Sequence, residues 1–97
     1  MDAKRLIPEL TVRQGRVLDP ATGADLGSAV DRARQLELGG ADEVLIRSLD
    51  LPDPAWLEEL ARRVYLPLAL AAPFTDPAQV ADALARGADR VVLPLAD

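Results

Sequence analysis

The sequence contains no histidine and no cysteine, and only 3% of its residues are aromatic. Without cysteine there is no disulfide framework and no thiol-based metal or redox site. Without histidine the commonest metal ligand and the commonest general base at neutral pH are missing. One Trp, one Tyr and one Phe leave the core to Leu, Val and Ala. No apolar run approaches the roughly 20 residues that cross a bilayer. Asp2, Lys4 and Arg5 at the start do not form a signal peptide. A basic excess is also lacking: the formal net charge is -5, which gives no electrostatic footprint for nucleic acid or an anionic membrane. These absences predict a cytoplasmic protein with no nucleic-acid partner, no membrane association, no metal and no cofactor.

What is present is a chain of 97 residues that is 49% hydrophobic. That suffices for one domain, 1–97, with much of its surface uncovered. Arg5 to Val12 reads as a strand. It carries Leu6, Pro8, Leu10 and Val12 on one face and Arg5, Ile7, Glu9 and Thr11 on the other. The stretch after it, "RQGRVLDPATGAD", is loop-like, with Arg16–Leu18 able to fold back as a hairpin. A helix is predicted from Ser28 to Leu38, stopped by Gly39-Gly40. "ADEVLIRSL" is the second strand, and "DPAWLEELARRV" a helix with Asp53 as N-cap and Pro54 at its first position. "LPLALAAPF" is the third strand. "DPAQVADALARG" is a helix with Asp76 and Gln79 forming a capping box, and "DRVVLPLAD" is the fourth strand.

The order βαβαβαβ predicts an α/β fold with a parallel sheet and crossover helices. Right-handed crossovers in strand order 1-2-3-4 place all helices on one face. The other face is then expected to carry Ile7, Leu45, Leu68, Leu70 and Val92, with the first and fourth strands as unpaired edges. A small doubly wound sheet is the alternative architecture; it needs a switch in strand order that nothing in the sequence marks. "GADEVLIRSLD" (Gly40–Asp50) matches "GADRVVLPLAD" (Gly87–Asp97) 47 residues later, the pattern of doubled βα units or of a generic helix-to-strand junction.

"AKRLIPELTVRQGRV", "GGADEV", "LPLALAAPFTD" and "ARGADRVV" together resemble the first half of the cyclase subunit family of imidazole glycerol phosphate synthase. Members are phosphate-binding (β/α)8 barrels of histidine biosynthesis, of roughly 250 residues. The resemblance implies a half-barrel of TIM type, strands one to four, ending at the fourth strand as a fragment would. It implies that Arg5, Ile7, Glu9 and Thr11 face the barrel interior, with Arg5 at the bottom and Thr11 at the mouth, where such barrels do chemistry. Arg47, two residues beyond Leu45 on the same face, is placed to reach Glu9.

The bottom keeps a charged ring that matches the family, Arg5, Glu43 and Arg90, near the face where a glutaminase subunit docks. The mouth does not match. The family's general base is an Asp where this chain has Thr11, and a hydroxyl without an activating base cannot replace it. A family Lys is Asp19 here, and a second family Asp is Ser48. The family's phosphate-binding glycine run reads Ala71-Ala72-Pro73, and an Asn-Thr pair reads Pro94-Leu95. Pro73 has no N–H to donate. Each missing charge-assisted bond costs roughly 1.5–3 kcal/mol. Two acids, Asp50 and Asp97, remain at the mouth as candidate catalytic or cation-holding groups.

Three readings stay open. One is a lyase of the cyclase lineage. The second is a non-catalytic half-barrel acting through self-association or a glutaminase-type partner, and the third is a fragment with no activity of its own. The expected companions are a second copy of the chain, a missing C-terminal half-barrel, or a glutaminase subunit.

Overall fold

The computed structural model describes residues 4–93, so Pro94, Leu95 and Asp97 lie outside the described residues. The strands are β1 (Glu9–Arg13), β2 (Arg16–Leu18), β3 (Asp25–Ser28), β4 (Val44–Ser48), β5 (Leu68–Ala71) and β6 (Arg90–Val92). The helices are α1 (Ala29–Leu38), α2 (Pro54–Arg63) and α3 (Pro77–Ala85). One sheet runs in the order β3-β2-β1-β4-β5-β6. The pairs β1–β4, β4–β5 and β5–β6 are parallel; β1–β2 and β2–β3 are antiparallel.

The helix starts follow from local chemistry. Ser28 accepts from the Asp31 N–H, Asp53 from Ala55 and Asp76 from Ala78. Gln79 completes the capping box at α3. The caps satisfy backbone donors that the first turn leaves without partners.

Alternate strand residues meet the helices. Leu10, Val12, Val44, Ile46, Leu68 and Leu70 join Val30, Ala33, Leu57, Leu60 and Ala83 in a single buried cluster. The three helices therefore cover one face. Gly87 sets the distance between the chain entering β6 and α2: a Cβ there would lie 2.3 Å from Ala61 Cβ.

The four-strand βαβαβαβ reading is corrected in three respects. First, two more strands, β2 and β3, extend the sheet beside β1, so the first strand is not a bare edge over its full length. Second, the strand expected from Arg5 begins at Glu9; Pro8 has no N–H for a ladder, although its carbonyl accepts from Leu45 N–H at 2.9 Å. Third, Leu68 and Leu70 lie under the helices, in register with Val44 and Ile46. Ala69 and Ala71 take the opposite face instead, which is less apolar than expected. That face carries Ile7, Glu9, Thr11, Leu45, Arg47 and Val92.

Candidate functional site

The carboxyl ends of β4, β5 and β6 surround a cleft of about 450 Å³, lined by Arg47, Ser48, Ala71, Ala72, Pro73 and Val92 among others. Arg47 is the cation in this lining, and it is already engaged. Its Nε and Nη2 donate to the two Glu9 oxygens at 3.2 and 3.0 Å. The bidentate geometry is the strong form of this contact. The hydrogen bond from Arg47 holds the Glu9 carboxyl below its ordinary value, and the nearby positive charge adds to that. Thr11 pairs in register with Arg47 and Leu18 at the same end of the sheet.

Ser48 is buried, and its Oγ donates to the Asp50 carbonyl at 2.6 Å. The same Oγ lies 3.1 Å from Asp50 Oδ1. Asp50, read from sequence as a candidate mouth acid, accepts the backbone N–H of Gln14 at 3.1 Å. It therefore joins the β4–α2 loop to the β1–β2 turn, and its carboxylate serves backbone geometry. Asp19 is likewise engaged locally. Its Oδ1 accepts from Ala21 and Thr22 N–H at 2.8 and 3.3 Å, which folds the loop before β3.

Sequence reasoning missed a second cleft at this end, of about 510 Å³, lined by Gln14, Asp50, Leu51, Asp53, Ala55 and Trp56. Trp56 packs against Gly15, where a Cβ would come within 3.2 Å of the indole. Its buried Nε1–H has no partner among the described residues. The signal was available: the lone Trp lies three residues after the N-cap of α2. Among the described residues no acidic cluster is arranged to hold a metal ion.

At the opposite end, Arg5, Glu43 and Arg90 come together. Glu43 is 7% exposed. Arg90 donates to its Oε2, and Arg5 Nη2 lies 3.5 Å from Oε1. Both arginines stay more than half exposed, so one buried carboxylate is bracketed by two hydrated cations.

No family model matches the sequence. Among curated proteins, the chain is 32% identical over 100 residues to imidazole glycerol phosphate synthase subunit HisF of Maricaulis maris (strain MCS10), covering 94% of this chain and 39% of that protein. The same subunit from Pseudoalteromonas translucida (strain TAC 125) is 31% identical, and that from Shewanella denitrificans (strain OS217 / ATCC BAA-1090 / DSM 15013) 29%, with the same coverage. The chain thus spans about two fifths of the length of the curated relatives it matches. No helix of the described residues is long and apolar enough to cross a membrane.

Proposed function

We propose that this relative of imidazole glycerol phosphate synthase subunit HisF is the first half of a cyclase-type (βα)8 barrel whose mouth no longer grips phosphate. It is then a half-barrel module and not a lyase in its own right. β1, β4, β5 and β6 stand for barrel strands one to four, and the helix-free face for the barrel interior. Parallel strands with helices on one side support this reading.

The observation that carries it is the state of the donors in the 450 Å³ cleft. Arg47 is held by Glu9, the Ser48 hydroxyl is given to Asp50, and Pro73 has no N–H. A phosphate entering there would have to separate Arg47 from Glu9 and bring its charge beside that carboxylate. Lyase competence would require a carboxylate and a phosphate loop from the complementary half.

The test is titration of ¹⁵N-labelled protein with inorganic phosphate and glycerol phosphate. Amide shifts at Ala71 and Ala72 should stay unsaturated beyond about 1 mM, roughly -4 kcal/mol of binding. Saturation well below that concentration would return the mouth to anion chemistry.

The lower ring favours a second role that does not compete with the first. Exposed Arg5 and Arg90 around Glu43 offer a positively charged rim to a glutaminase-type partner. Binding of such a subunit, weakened in Arg5→Ala/Arg90→Ala, is the corresponding measurement.

A further inference from the structure

We draw no further inference here: the strongest candidate, the 510 Å³ cleft between the β1–β2 hairpin and the start of α2, carries none, because the Trp56 Nε1–H beside it is sealed from solvent and does not open into it, its acids Asp50 and Asp53 already accept the backbone N–H groups of Gln14 and Ala55, and nothing in the structure shows what would fill it.

Discussion

The carboxylate of Asp50 holds the backbone N–H of Gln14 at 3.1 Å, across 36 residues of sequence. Gln14 sits at φ 50° and Gly15 at φ 75°, the two central positions of the β1–β2 hairpin. Both positive angles suit a tight two-residue turn, and Gln14 adopts one at a cost that glycine would not meet. Asp50 offsets that cost by giving the strained residue a charged acceptor.

Asp50→Ala should therefore lower stability by about 1.5–3 kcal/mol, the range for a hydrogen bond to a charged group. Asp50→Asn keeps an acceptor oxygen and should lose less. Urea denaturation of the two variants checks the order. Equal losses would mean that the contact to Gln14 contributes nothing.

Gly87 gives a sharper expectation. Its φ of 126° is foreign to L side chains, and a Cβ would overlap Ala61 Cβ at 2.3 Å. Gly87→Ala should destabilise by about 1–3 kcal/mol from overpacking alone, with backbone strain in addition. Ala61→Gly in the same chain removes the overlap and leaves the strain, so the double variant should recover part of the loss. Thermal melts of the two singles and the double separate the parts.

The Glu9–Arg47 pair carries the pH dependence of the open face. Arg47 lowers the folded-state pKa of Glu9 below its ordinary value. The same holds for Asp25, where hydrogen bonds from Arg16 and then from Gly27 N–H are the causes. A carboxyl with a lowered folded pKa stabilises above its unfolded pKa and loses that stabilisation as pH falls through the folded one. Urea midpoints should thus decline on the acid side of the ordinary carboxylate range. Glu9→Gln should flatten part of that decline, and salt should weaken it, because both side chains are about half exposed. An identical acid limb in Glu9→Gln would remove the pair from the account.

How far the fold is legible in the sequence depends on whether a signal is local. The starts of α2 and α3 are legible because Asp53-Pro54 and Asp76-Pro77 with Gln79 encode their own caps. The Glu9–Arg47 pair is legible from pleat alternation, which places both on one face. β3 is not, because "DLGS" shows no alternation and its pairing depends on Arg16, which meets Asp25 at 3.0 Å. The facing of Leu68 and Leu70 differs from expectation because "LALA" is apolar at both parities. Only the register with Val44 and Ile46 decides, and a slip of one residue exchanges the faces. Asp50 looks like a catalytic mouth acid in sequence because the Gln14 N–H that occupies its carboxylate is not displayed there.

Glu43 and its two arginine partners differ in their access to water. The acid is buried, whereas Arg5 and Arg90 are hydrated. Removing the acid leaves two cations that water can serve, so Glu43→Gln should cost only about 1 kcal/mol. Removing both arginines leaves a buried carboxylate with neither cation, and Arg5→Ala/Arg90→Ala should cost about 2–3 kcal/mol. Thermal melts of the two variants measure the difference directly. A Glu43→Gln loss larger than that of the double-arginine variant would show that the carboxylate is held by something other than its two guanidinium neighbours.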